Sequence, residues 1–231
     1  MNYLFEPQPP STVAIANEDA RFPVRRIFCV GRNYVAHAIE MGSDPDREPP
    51  FFFTKPADAV VDSGATIPYP PETENFHYEA ELVVAIGKAG FRIAEQDVPA
   101  HIYGYAIGND LTRRDLQMAA RETGRPWDWG KAFDLSAPCG PLHPISKTGE
   151  LVSGAIKLQV NGDTKQEADL SQLIWNVREI VSILSRSMHL KAGDLIYTGT
   201  PAGVGPVVTG DTMVVSIEGL GELVTIVGEP E

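Results

Sequence analysis

Cysteine is scarce in this chain. Only Cys29 and Cys139 occur among its 231 residues, too few for a disulfide scaffold, and with no secretion signal both are expected as reduced thiols. Long apolar runs are missing too: no stretch approaches the roughly 18 residues of a membrane span. The opening MNYLFEPQPP has neither a basic n-region nor a continuous apolar h-region, so the expected location is the cytoplasm. Basic residues are outnumbered, 19 against 31 acidic, for a formal charge of -12. That sign opposes phosphate backbones and anionic membrane surfaces, so neither nucleic acid nor membrane is expected as a partner. A small anionic substrate is repelled at long range as well and needs local positive charge, from side chains or a metal, where it binds.

Glycine and proline are plentiful, 21 and 19 residues, and they punctuate many short β-like runs: RRIFCVG, PFFFTKP, EAELVVAIG, YGYAIGND, AIKLQVNG, GDLIYTGT, DTMVVSIEG and GELVTIVG. This spacing predicts an α+β, mostly antiparallel β protein. Leu170, Leu173, Ile174, Val177, Val181, Leu184 and Met188 follow a helical period, and Lys191-Ala192-Gly193 reads as the close of that helix. Shorter helices are expected at about 34–41 and 113–122, each beginning beside an Asn or Asp-Thr element able to cap it. Residues 1–25, with Pro7, Pro9, Pro10 and Pro23, read as an N-terminal arm. Residues 26–231 read as a single domain.

The stretch FHYEAELVVAIG, Phe76 to Gly87, is unusual in its charges. As one strand it puts Glu79 and Glu81 on the face of Val83 and Ala85, with Leu82, Val84 and Ile86 opposite. Two carboxylates opening a strand that is apolar on both faces cost energy unless something neutralises them. An exposed strand edge is the plain alternative. Asp110, at the end of YGYAIGND, supplies a third acidic group, and three oxygen donors suit a hard divalent cation such as magnesium or manganese. His77 shares the parity of the glutamates and could shift the preference toward zinc, but a polar residue at a strand entry is the preferred explanation.

In VGRNYVAHAIEMG, His37 and Glu40 lie three apart on one helical face. A carboxylate raises the basicity of an imidazole and fixes its orientation, as a general base requires; a surface pair is the alternative. Arg32, Lys55, Arg113, Arg114 and Lys131 place basic groups near these motifs, either as anion ligands or as solvated surface charge. TGTPAGVGP, Thr198 to Pro206, carries three glycines and Thr200 in a loop able to present backbone N–H groups to a carboxylate.

Taken in order, GRNYVAHAIEMG, FFFTKPADAVV, YEAELVVAIG, GNDLTRRDLQ, GKAFDLSAPCGP and GDLIYTGTPAGVGP resemble the fumarylacetoacetate hydrolase family from about Arg26 to Val227. The resemblance implies a mixed β-sandwich roll with a few short helices, a homodimer, and Mg2+ or Mn2+ held by Glu79, Glu81 and Asp110. It also implies a catalytic dyad of His37 and Glu40, a catalytic Lys131, and substrate contacts from Arg32, Lys55, Arg114, Gln117 and Thr200. The implied activity is metal-dependent hydrolysis of a carbon-carbon bond in a 2,4-diketo acid, in which His37 deprotonates water and Lys131 stabilises an oxyanion. The segments RFPVRRIFCVGRNY and MGSDPDREPPFFFTKPADAVV resemble the branch that splits fumarylpyruvate into fumarate and pyruvate in gentisate (aromatic) catabolism. Acylpyruvase, oxaloacetate decarboxylase and keto-acid isomerase activities are the alternatives within the family. A non-catalytic metal- or ligand-binding module is the alternative outside it. Charge alone nominates Arg32, Lys55 or Arg114 for the distal carboxylate of the substrate.

Overall fold

Residues 2–40 and 48–231 are described by a computed structural model. Two sheets frame it. The first runs His143–Pro144, Ile102–Asn109, Ala80–Ile86, Asp194–Tyr197, Arg26–Gly31 and Phe51–Lys55, with only Asp194–Tyr197 and Arg26–Gly31 parallel. The second runs Asp163–Asp169, Ala155–Val160, Thr212–Ile217, Gly221–Gly228 and Ala65–Pro68, parallel only at its last pair. Mostly antiparallel sheets with a few short helices make this the α+β architecture expected.

Ala80–Ile86 is central in its sheet, which explains its two apolar faces. Leu82, Val84 and Ile86 enter a large core shared with Ile156, Leu158, Val215 and Ile217 of the second sheet. Val83 and Ala85 enter a smaller one with Ile27, Cys29, Leu195 and Tyr197. Each fully buried aliphatic side chain contributes about 1.5–3 kcal/mol. Within residues 1–25, Thr12–Ile15 and Glu18–Pro23 form a hairpin that buries Val13, Ile15 and Phe22 in the smaller core. Ala16 N–H anchors it to Leu142 O at 2.9 Å.

The helices differ from expectation at their ends. Helix α1, Val35–Glu40, forms where expected, with Met41 outside the described residues. Asn33 does not act simply as its cap: the amide donates to Trp175 O and Thr198 O and accepts from Trp175 N–H. Helix α2, Arg114–Glu122, starts without a side-chain cap. Asp115 instead accepts from the Thr73 hydroxyl and Glu74 N–H. The apolar period from Leu170 to Met188 is broken into a turn, Leu170–Gln172, and a helix, Val177–Ser187. Asn176 and Glu179 form a capping box that starts this helix late, and Ile174 N–H is drawn to Asn33 O at 2.8 Å. The helix closes at Met188, and Gly193, with φ +96°, instead turns the chain into Asp194–Tyr197. Among the described residues, no helix is long and apolar enough to cross a membrane.

Candidate active site

The run from Phe76 to Ile86 is two strands, not one. Phe76–Tyr78 pairs with Thr112–Arg113 and Gly205–Pro206, while Ala80–Ile86 belongs to the six-stranded sheet. Glu79 stands at the switch. Its N–H donates to Asn109 Oδ1 and its carbonyl accepts from Asp110 N–H, both at 2.9 Å, and the next N–H, of Ala80, donates to Gln166 Oε1. Strand parity therefore does not bring the glutamates together; the change of sheet does. One oxygen each from Glu79, Glu81 and Asp110 lies within 4.8 Å of the others, and all three residues are buried.

Three cations pair with two of these carboxylates, Glu79 and Asp110. Lys131, on the short helix α3 (Asp128–Lys131), donates to Glu79 Oε2, Asp110 Oδ2 and the Thr112 hydroxyl at 2.9, 2.8 and 2.6 Å. Arg114 donates to Glu79 Oε1 and to Gln117 Oε1. Lys55 Nζ lies 2.8 Å from Asp110 Oδ1 as an ion pair and donates two of its three protons to Leu111 O and Lys131 O. Asp110 Oδ1 is buried against that ammonium, and a carboxylate oxygen keeps a further lone pair that a metal cation can use. Burial alone raises the Glu79 carboxyl, yet Lys131 and Arg114 outweigh it and hold the group well below the usual range. Burial, then Asp110 and Glu79, push Glu81 well above that range, against one N–H bond from Gly199 at 2.7 Å. Burial depresses Lys55, whereas Asp110 and Glu79 more than offset burial at Lys131.

This donor set fits a hard divalent cation. Adjacent oxygens of an octahedral magnesium site lie about 3 Å apart and opposite ones about 4.2 Å, given bonds of about 2.1 Å. His77 is not in the group: Nε2 pairs with Asn75 Oδ1 at 2.8 Å and Nδ1 faces Arg114, and burial followed by Arg114 lowers the imidazole to about 4.

His37 lines the same cavity as Glu79 and Glu81. Its Nδ1 lies 3.0 Å from Glu40 Oε2, and Glu40 in turn accepts Gly203 N–H through both oxygens at 3.1 and 3.2 Å. The glycine loop after Asp194–Tyr197 thus does present N–H groups to carboxylates, but to those of the protein: Gly199 to Glu81 and Gly203 to Glu40. Gly203 needs to be glycine. It has φ +95°, and a Cβ there would stand 2.1 Å from Lys165 O. Thr200 is held from below by Gln166, whose amide donates to the Thr200 hydroxyl and Pro201 O at 2.8 Å. Gln166, buried in an otherwise polar strand, carries no sequence signal that distinguishes it.

The cavity has about 30 Å³ of free volume and is lined by His37, Glu79, Glu81, Arg114, Gln117, Lys131 and Thr200, with Arg32, Arg121, Phe53 and Trp127 also on its wall. That is room for about one or two waters. Phe53, Trp127 and Lys131 also border an adjoining recess of about 380 Å³. Lys55 lies behind the cavity rather than on its wall. Arg113 faces a different recess, with its guanidinium 4.4 Å from the Phe133 ring.

The family model described as fumarylacetoacetate (FAA) hydrolase C-terminal matches residues 26–228. The chain belongs to the fumarylacetoacetate hydrolase family. A fumarylpyruvate hydrolase of Ralstonia sp is 53% identical over 194 residues, 83% of this chain and 100% of the relative. An oxaloacetate tautomerase of Escherichia coli (strain K12) is 37% identical, covering 86% of this chain and 90% of the relative. Among solved structures, fumarylpyruvate hydrolase from Pseudomonas aeruginosa in complex with Mn2+ and pyruvate superposes with a TM-score of 0.96 at 56% identity, covering 99% of this chain and 100% of that one.

Proposed function

We propose that this protein is a metal-dependent hydrolase of 2,4-diketo acids, splitting fumarylpyruvate and water into fumarate and pyruvate. One observation carries the reading: three buried carboxylates cluster, two of them on the wall of a cavity that is also lined by an imidazole fixed by a carboxylate. The similarity to fumarylpyruvate hydrolases, one of them crystallised with Mn2+ and pyruvate, supports the substrate and the ion. Glu79, Glu81 and Asp110 would hold Mg2+ or Mn2+. Bound there, the ion supplies Lewis-acid polarisation of the diketo head and a sink for the negative charge left on the pyruvate fragment.

The charges explain why cation and substrate suit each other. Lys55, Lys131 and Arg114 already offset Glu79 and Asp110, so even with Glu81 ionised on binding the metal a dication alone leaves a positive excess in a buried site. A dicarboxylate substrate removes it. Glu40 accepts the Nδ1 proton of His37 and leaves Nε2 basic, so His37 takes the proton of the water that attacks the 4-carbonyl. As the C3–C4 bond breaks, that proton is available to the pyruvate carbon. Lys131 serves the developing oxyanion only by releasing one of its three present acceptors. Gln117 and Thr200 line the cavity for the substrate head; Arg114 shares that wall, and Lys55 acts from behind through Asp110.

The test is a panel of fumarylpyruvate, acetylpyruvate and oxaloacetate with Mg2+ or Mn2+, before and after chelation. Chelator-sensitive hydrolysis of the diketo acids is expected. His37→Ala should retain ion binding and lose roughly 100- to 10,000-fold in rate, while Glu79→Gln should lose both. Turnover of oxaloacetate alone would assign the tautomerase activity of the more distant relatives instead. We further propose residues 26–231 as one catalytic domain preceded by residues 1–25, a role in aromatic catabolism, and a cytoplasmic homodimer. The two buried free thiols agree with a reducing compartment, and exposed Leu4, Phe5 and Trp129 offer apolar surface for a second copy. Sedimentation of the purified chain checks the dimer.

A further inference from the structure

The cavity that carries His37 and the glutamates is too small for a whole substrate. Its free volume is about 30 Å³, room for about one or two waters, so a chain that extends beyond the 4-carbonyl needs space elsewhere. Phe53, Trp127 and Lys131 belong both to its wall and to that of the adjoining recess of about 380 Å³. Lys131 Nζ lies 5.2 Å from the centre of the Phe53 ring. A carbonyl drawn to Lys131 therefore stands where the two spaces meet, and what it bears on the side away from the carboxylates extends into the recess.

The recess suits a flat tail with a charged end. Phe51, Phe53 and Trp127 pack together on its wall, Phe51 edge-on to Trp127 at 5.1 Å and Phe53 tilted to it at 5.7 Å, which offers apolar surface to a planar alkene. Arg125 is the basic residue there besides Lys131. Helix α2 closes on Gly124, with φ +65°, Arg125 N–H donates to Ala120 O at 2.8 Å, and Pro126 follows; this closure fixes the backbone from which the side chain extends. The Arg125 guanidinium is exposed and makes no hydrogen bond or ion pair among the described residues. The cations that charge alone nominates for the distal carboxylate are engaged instead. Arg114 bonds Glu79 and Gln117, and Lys55 pairs with Asp110. At Arg32, burial and then Arg121 lower the guanidinium while Glu48 acts the other way. One acid borders the recess: Asp128, exposed at the start of α3, three residues from Arg125 but not ion-paired with it. It repels a carboxylate that Arg125 attracts.

We infer that the recess receives the acyl half of the substrate and that Arg125 binds the carboxylate at its far end, making the enzyme selective for 2,4-diketo acids that end in a carboxylate over those that end in a methyl group. This rests on the diketo-acid hydrolase reading above. The metal ligands, His37 and Lys131 handle the head that all such acids share; Arg125 reads the tail. Asp128 opposes it, so the two residues give opposite signs when changed.

The test compares kcat/KM for fumarylpyruvate and acetylpyruvate in the Mn2+-loaded protein and in Arg125→Gln, Arg125→Lys, Asp128→Asn and Arg186→Gln. Arg186, exposed near the end of the helix Val177–Ser187, borders neither space. Arg125→Gln should lower the fumarylpyruvate to acetylpyruvate ratio by about 5- to 30-fold, less than the full worth of a charge-assisted hydrogen bond because Arg125 is exposed. Arg125→Lys keeps the charge without the planar fork and should recover part of that loss. Asp128→Asn should raise the ratio by about twofold, and Arg186→Gln should leave it as in the parent protein. Because the readout is a ratio within one sample, partial misfolding does not imitate it. A ratio within about twofold of the parent in Arg125→Gln, with both acids still hydrolysed, overturns the tail site and leaves the hydrolase reading standing. An equal loss in Arg186→Gln also overturns it, by reducing the effect to net charge. A parent protein inert toward both acids overturns the two readings together.

Discussion

Gly203→Ala is the most informative single change, because it reaches the proposed base only through a backbone N–H. Two costs follow from the geometry. The left-handed φ of +95° costs alanine about 1–2 kcal/mol, and the added Cβ meets Lys165 O at 2.1 Å, so the loop must move away from the strand Asp163–Asp169. Gly210→Ala isolates the first cost: its φ is +91°, but nothing lies within 4 Å of the added Cβ. At about 2–4 °C per kcal/mol for a chain of this size, Gly210→Ala should melt about 2–8 °C lower with unchanged turnover, and Gly203→Ala lower still. Moving Gly203 withdraws the N–H from both oxygens of Glu40. A hydrogen bond to a charged group contributes about 1.5–3 kcal/mol. If half or more of that orients His37 in the transition state, kcat falls about 3- to 100-fold at about 1.4 kcal/mol per decade. Turnover of fumarylpyruvate is assayed beside a thermal melt and Mn2+ affinity, which should hold within a few-fold. Should Gly203→Ala keep its kcat within twofold of the parent while melting lower, the loop does not orient the dyad and the reasoning is wrong.

Other perturbations probe the frame. Leu82→Ala, at a fully buried position in the large core, should cost about 2–5 kcal/mol in urea denaturation, and a loss below about 1 kcal/mol would mean that the strand is not central. Asp194 is fully buried beneath Arg25 and Arg26 and accepts Lys191 N–H, so Asp194→Ala should destabilise by about 2–4 kcal/mol, read from the urea midpoint. Burial raises the Cys139 thiol to about 12, against about 8.5 in an unfolded chain. The folded state therefore keeps a proton that the unfolded state has lost: stability from this group is intact below about pH 8.5 and declines as pH rises toward 12, by at most about 1.4 kcal/mol per unit. Urea midpoints at about pH 7.5 and 10 should show the decline, and Cys139→Ala should reduce it; identical slopes in the two proteins would refute the assignment. Both thiols should react with a disulfide reagent at pH 8 only after unfolding.

The sequence by itself determined the strand content, the two apolar faces of Ala80–Ile86 and the ordered motifs that identify the family, because alternation and turn residues are local properties that burial enforces one residue at a time. It also nominated Glu79, Glu81, Asp110, His37 and Glu40, which the fold gathers around one cavity. Only the tertiary structure decided how. Alternation reports which face a residue takes but not which strand becomes its neighbour, so the switch of sheets at Glu79 was invisible, as was the late start of Val177–Ser187, where a capping box outcompeted an apolar period. The loop N–H groups were read correctly as carboxylate donors, but their partners, Glu81 and Glu40, lie 118 and 163 positions away in the chain. Gln166 and Arg121 carried no signal at all. Charge and hydrogen-bond capacity are written in the residue types; which acceptor each donor reaches is set by long-range packing, which here commits Lys131 and Arg114 to the protein's own carboxylates.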